Sequence, residues 1–181
     1  MQRLTTLLLV ALLSACAGAP PRPAAGTVDL PMLGLAPSAL PGGLVREQRL
    51  VFEHGERRDA VDALVEVDAH AVRVVLHQQG QVVLRMHWDG ERLDQQRDPG
   101  LPDSLDAARV LTDLQLVHWP AAAITTALPA GWHLDEGPGR RDLWQGAQQV
   151  LAIEYPAAGE ARLHNHRLGY RLTVVSSGAR P

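Results

Sequence analysis

The stretch VDALVEVDAHAVRVVLHQQGQVVLRMHWDG, residues 61–90, decides the fold class. Apolar side chains fall at every second position: Val61, Ala63, Val65 and Val67 oppose Asp62, Glu66 and Asp68, with Leu64 alone out of step. Val72, Val74 and Leu76 then oppose Arg73 and His77, and Val82, Leu84, Met86 and Trp88 oppose Arg85, His87 and Asp89. Successive side chains of a strand point to opposite faces, so this is the pattern of strands with one face in a core and one in water. Asp89-Gly90 predicts a two-residue hairpin turn, because both residues tolerate positive φ; Gln79-Gly80 is a weaker signal of the same kind. Leu44 to Glu53 reads as a less regular first strand and Glu91 to Arg97 as a short polar one, so the first half predicts an antiparallel meander of about five strands.

Outward from that stretch the period changes. Ala107, Val110, Leu111, Leu114 and Val117 follow helical spacing, with Asp103 as the expected N-cap and Asp106 three positions on. Trp119-Pro120 ends this helix, and Pro120 suits the first turn of a second, short helix over Ala121 to Leu128. Strand patterns return at Trp132 to Glu136, Arg140 to Trp144, Val150 to Tyr155, Ala161 to Asn165 and Tyr170 to Ser176, separated by Gly- and Pro-containing turns. The whole predicts a mainly β (α+β) fold. A single sheet of that size curls rather than stays flat. The expected architecture is therefore a half-open antiparallel β-barrel of roughly ten to eleven strands around a central helical plug.

The amino terminus sets an expected compartment. Arg3 is followed by the apolar run Leu7 to Leu13, then by Leu13-Ser14-Ala15-Cys16, which matches a bacterial lipobox. The run is shorter than the ~20 residues needed to span a bilayer, so 1–15 reads as a lipoprotein signal peptide. Cys16 is the single cysteine, which excludes an internal disulfide and suits lipidation. Several acyl chains hold a protein to a membrane where one is marginal. Ala17 rather than Asp follows the cysteine, so the expected location is the outer membrane, facing the periplasm. Residues 16–40 are rich in Pro, Ala and Gly and read as a tether, leaving 41–178 as one folded domain. All 17 basic residues are Arg, and removing Arg3 leaves 16 against 20 acids, a net charge of −4. The charges are mixed along the chain, not the clustered basic face of a nucleic-acid binder.

Several constellations resolve into ordinary structure. His164 and His166 share a strand face, but a zinc site wants three or four ligands. Ser104 and Asp106 sit at a helix start, where such residues cap backbone amides, and no Gly-x-Ser-x-Gly elbow exists. Arg109 and Asp113 are spaced for an i,i+4 ion pair; the functional alternative puts Arg109 at a barrel mouth facing an anionic headgroup. No catalytic set, metal site or cofactor site assembles, so the expectation is a protein that is not an enzyme.

The order of elements resembles the LolA/LolB-like fold, the half-open barrel of the lipoprotein carrier and its outer-membrane receptor. It is most similar to a family of outer-membrane lipoproteins whose genes lie beside aryl-polyene biosynthesis genes. The resemblance is carried by Asp62-Ala63-Leu64-Val65-Glu66-Val67-Asp68, Trp88-Asp89-Gly90-Glu91-Arg92-Leu93, Leu101-Pro102, Arg109-Val110-Leu111-Thr112-Asp113-Leu114-Gln115-Leu116-Val117-His118-Trp119-Pro120, Leu128-Pro129-Ala130-Gly131-Trp132 and Leu168-Gly169-Tyr170-Arg171-Leu172-Thr173-Val174. It implies binding of an acyl-type or polyene lipid in the barrel, help with its placement in the envelope, and a LolA-like carrier or exporter as partner. The loop His77-Gln78-Gln79-Gly80-Gln81 is polar where a LolB-type receptor carries a protruding apolar residue, so membrane insertion by that loop is not implied. The expected cavity lining is Val65, Val67, Val74, Leu84, Met86, Trp88, Trp119, Trp132, Ile153, Leu172 and Val174. A non-catalytic adaptor lipoprotein with a filled barrel, docking an envelope protein, is the alternative.

Overall fold

The computed structural model describes residues 30–101 and 106–177. The expected leader, Cys16, the start of the tether, Asp103 and Ser104 lie outside the described residues. Ten strands form one antiparallel sheet: β1 (Leu44–His54), β2 (Arg57–Val67), β3 (Val72–Gln78), β4 (Gln81–Trp88) and β5 (Leu93–Arg97), then β6 (Trp132–Gly137), β7 (Arg140–Gln145), β8 (Gln148–Ala157), β9 (Glu160–Asn165) and β10 (Tyr170–Ser177). The spatial order is β5-β4-β3-β2-β1-β10-β9-β8-β7-β6. Each half is a meander, and the halves join where β1 pairs with β10, Leu50 opposite Val174 and Phe52 opposite Leu172. β5 and β6 are the edges and do not pair, so the sheet is not closed.

Two helices connect these edges: α1 (Ala107–His118) and α2 (Ala121–Ala127). The sheet curls around α1, because strands of both halves reach it. Gln95 on β5, Gln48 on β1, Tyr170 on β10, Tyr155 on β8 and Arg141 on β7 each hydrogen-bond a residue of this one helix. Ladder irregularities at Leu76/His77, Leu143/Trp144 and Glu154/Ala157 help the curl, since a bulge bends and twists its strand. The inner face is apolar: Leu76, Leu84, Leu111, Leu116, Trp119, Leu151 and Ile153 are fully buried.

The structure departs from the sequence reading in four places. Asp89-Gly90 does not make a two-residue turn. The Asp89 carboxylate accepts from the amides of Glu91 and Arg92 at 2.8 and 2.7 Å, which stabilises a longer connection and delays β5 to Leu93. The two-residue turn with both central φ positive is Gln79-Gly80, at 51° and 80°. The cap of α1 is Asp106, whose carboxylate accepts from the Arg109 amide at 2.8 Å. The tether reading runs too far: Leu33, Leu35 and Pro37 are buried, so 31–40 is part of the fold. This strap is bound by polar side chains. Leu35 O accepts from Trp88 Nε1 at 2.8 Å and Gln115 Nε2 at 3.1 Å, and Ala36 O accepts from Trp119 Nε1 at 3.2 Å. The fourth departure, at Arg109 and Asp113, belongs to the site.

Candidate functional site

A cavity lies between α1 and four adjacent strands, β3, β2, β1 and β10. Its floor is Leu50 and Phe52 of β1, Val61, Ala63 and Val65 of β2, Val74 and Leu76 of β3, and Leu172 and Val174 of β10. Its roof is Val110, Leu114 and Val117 of α1, one helical face by their spacing. Four polar side chains also line it: Arg109 toward the start of α1, Asp113 at its middle, and His118 with Gln48 of β1 at its end. The space left is about 70 Å³. An apolar hole of ~150 Å³ is enough for benzene, so as it stands this one is small. Val117, His118 and Val174 form a wall shared with a second recess of about 370 Å³, lined also by Leu44, Arg46, Tyr155 and Glu160.

The polar groups are arranged by burial. Asp113 is 6 % exposed, and the Tyr170 hydroxyl donates into its carboxylate, 2.9 and 2.8 Å from the two oxygens. Burial pushes the Asp113 carboxyl up to about 7, against the opposing pull of the Tyr170 hydrogen bond and the Arg109 charge. Burial, then the neighbouring Asp113 charge, likewise pushes the Tyr170 phenol up. The expected i,i+4 ion pair between Arg109 and Asp113 does not form. Tyr170 takes the carboxylate, and the Arg109 guanidinium carbon lies 5.7 Å from the centre of the Tyr170 ring. Arg109 Nε is buried without a hydrogen-bond partner.

At the other end the Gln48 amide nitrogen lies 3.2 Å from His118 Nε2 and donates to Ser176 Oγ at 3.2 Å. An amide nitrogen only donates, so His118 Nε2 accepts and the ring is neutral. Burial, reinforced by the charges of Arg46 and Arg141, lowers His118 to about 4. Beyond it the end of α1 is held by β7 and β8. Arg141 Nη1 donates to Leu116 O and Trp119 O at 2.9 and 2.8 Å, and the Tyr155 hydroxyl donates to Val117 O at 2.9 Å. These bonds satisfy carbonyls that a helix end leaves open.

Of the expected lining, Val65, Val74, Leu172 and Val174 meet at this cavity. Val67, Leu84, Met86 and Ile153 are buried elsewhere in the core, and Trp88 and Trp119 are buried against the strap. Trp132 is half-buried on the edge strand β6, with the Arg167 guanidinium 5.5 Å from its ring centre. The sequence reading missed Gln48, Tyr170 and His118. Gln48 has a visible signal, a polar residue in phase with Leu50 and Phe52; the other two take their roles from partners distant in sequence. His164 and His166 stand 4.1 Å apart between ring centres, and burial followed by the His166 charge lowers His164. Among the described residues no three His, Cys, Asp or Glu side chains gather as a metal site, and no helix is long and apolar enough to cross a membrane.

No curated protein matches the chain. The model of one family, described as a protein of unknown function, DUF3261, matches residues 45–178. That span runs from the second residue of β1 past the end of β10 and so takes in both helices and every residue lining the cavity, but not the strap. The chain belongs to the DUF3261 family.

Proposed function

We propose that this protein is an outer-membrane lipoprotein, anchored through Cys16 and facing the periplasm, that takes an acyl-type or polyene lipid chain between α1 and the sheet and assists its placement in the envelope. The observation that carries the reading is the cavity: its floor and roof are aliphatic and aromatic, yet it is not filled. A well-packed core leaves few voids larger than a water molecule, whereas ligand sites are apolar hollows with a few placed polar groups. The LolA/LolB-like arrangement agrees with the open ten-stranded sheet and its central helix. Catalysis plays no part. Shielding from water is worth about 0.8 kcal/mol per methylene, enough to hold a chain without chemistry.

The test is to purify the protein from cell envelopes, extract it with organic solvent and analyse the extract by mass spectrometry. The expected result is a stoichiometric acyl or polyene species besides the covalent anchor, with acyl labelling lost in Cys16→Ser. A protein that carries nothing and takes up no acyl probe overturns the reading. One observation favours the alternative of a filled, non-catalytic adaptor docking an envelope protein: 70 Å³ is well below the roughly 300 Å³ at which ligand pockets begin. Co-purification of an envelope protein with a ligand-free chain is the outcome that selects it.

A further inference from the structure

We infer that the ligand is a single-chain anionic amphiphile, its headgroup held by Arg109 at the start of α1 and its tail running along α1 toward His118. The inference rests on the acyl-binding reading and adds the chemistry and orientation of the ligand. Among the described residues Arg109 is the one cation lining the cavity. The residue is half-buried, and its guanidinium lies against the face of the Tyr170 ring, 5.7 Å from the ring centre, without a hydrogen-bonding acceptor for its Nε. Among the described residues no carboxylate lies within ion-pairing distance of it, and its Nε makes no hydrogen bond. The acid that helical spacing offers it, Asp113, is taken by the Tyr170 hydroxyl. Asp106 is turned to the Arg109 backbone amide as the helix cap. A buried guanidinium donor without an acceptor beside an apolar hollow is complementary to an anion, and arginine presents its donors as a planar fork matched to carboxylate or phosphate.

The far end has the opposite character. Gln48, itself bonded to Ser176, leaves His118 neutral, and among the described residues lining the cavity there is no charged side chain at that end; Arg46 and Glu160 line the recess beyond it. Arg109 and His118 are nine residues apart on one helix, about 13 Å along its axis. A tail laid along that length meets Val110, Leu114 and Val117 on one side and Val61, Leu50 and Val174 on the other. The larger recess lies directly behind His118, so a longer chain finds room by turning that ring aside.

The experiment is a binding series at fixed chain length on the purified protein: dodecanoate, dodecyl phosphate, dodecanol and dodecyltrimethylammonium, read by calorimetry. A hydrogen bond to a charged group is worth about tenfold in affinity or more. At least one anion is expected to bind about tenfold tighter than dodecanol, and the cation no tighter than dodecanol. Which anion wins distinguishes a carboxylate from a phosphate headgroup. Arg109→Gln is expected to bring the anion-to-alcohol ratio to within about twofold, and Arg109→Lys to restore most of it. Because the ratio is taken within each variant, a general loss of stability does not imitate the effect. Equal binding of anion and alcohol, preference for the cation, or a ratio unchanged in Arg109→Gln overturns the inference and leaves the acyl site standing. Failure of all four probes overturns the acyl site and the inference together.

Discussion

Replacing Asp113 by Asn isolates what burial does to the one carboxyl under α1. In the fold this group is raised from 3.8 to about 7, chiefly because it is buried. A carboxyl raised on folding contributes its stability in full below 3.8 and loses it as pH climbs through about 7. Between pH 5 and pH 7 the folded protein holds this proton and the unfolded chain does not. Two pH units at about 1.36 kcal/mol each give a loss of about 3 kcal/mol over that interval. The Asp113→Asn variant has no such proton. Its side-chain carbonyl still accepts from Tyr170, and any cost of placing an amide there is the same at every pH. Urea unfolding followed by tryptophan fluorescence, at half-unit steps from pH 5 to pH 8, gives both stability curves. The difference between variant and wild type is expected to grow in favour of the variant by about 3 kcal/mol and to level off above pH 7. Subtraction removes the contribution of His118, which slopes the other way. Parallel curves refute the reasoning, for they mean that Asp113 is ionised in the fold and that α1 sits on a more hydrated surface than this geometry describes.

Other substitutions test other parts of the same arrangement. Ala63→Leu puts a branched side chain into the 70 Å³ hole; acyl-probe uptake should fall about tenfold or more while thermal stability changes by under about 2 kcal/mol, and undiminished uptake places the ligand elsewhere. Arg141→Ala strips the donor from Leu116 O and Trp119 O and should cost about 2 to 3 kcal/mol, a drop in Tm of roughly 5 to 10 °C by calorimetry. His118 is lowered on folding to about 4, so its stabilising contribution is present above 6.5 and lost as pH falls through 4; the stability of the wild type relative to His118→Gln should fall by up to about 3 kcal/mol over that range. In hydrogen exchange, amides of the first turn of α1 should exchange faster than those near its end, and an acyl probe should slow the former.

Much of the fold was legible because it rests on local period. The later strands fell within a residue or two of their observed ends, and the alternation from Val61 to Trp88 found β2 to β4 although β2 begins four residues earlier at Arg57, since a half-buried sheet imposes period two on its own sequence. Turns were read less well: Asp-Gly is a strong hairpin signal, but an Asp side chain can also cap the amides that follow it, and at Asp89 that bond prevailed. The strap was invisible to composition. Its few apolar residues, Leu33 and Leu35, are too sparse to announce a core element, and what fixes them are hydrogen bonds from Trp88 and Gln115, 53 and 80 residues away. The cavity was half legible for the same reason. Strand phase says that Val65 and Val174 face inward but not which part of a curled sheet they meet, and Arg109 reads as the partner of Asp113 until Tyr170, 57 residues on, is placed beside it.

The bonds on α1 are unequal along its length, and that decides how a hollow of 70 Å³ admits a larger guest. The sheet itself yields little, because every strand but the two edges is laddered on both sides. Room has to come from the helix. Its second half is fixed by Arg141 to two carbonyls, by Tyr155 to a third, and by Gln115 to the strap. Its first half is fixed by a 3.3 Å contact from the Ala107 amide to Gln95, and its middle by Tyr170 on Asp113. Charge-assisted bonds to helix carbonyls are stronger than neutral ones, and a neutral Asp113 bonds Tyr170 less strongly than an ionised one. The helix is therefore more firmly bonded at His118 than at Ala107, so any opening is expected from the Ala107 end, the end that carries Arg109. Guest and lid then share one geometry. If the lipid-binding proposal holds, a motion that makes room for a tail would carry Arg109 with it and leave the His118 end of the helix in place.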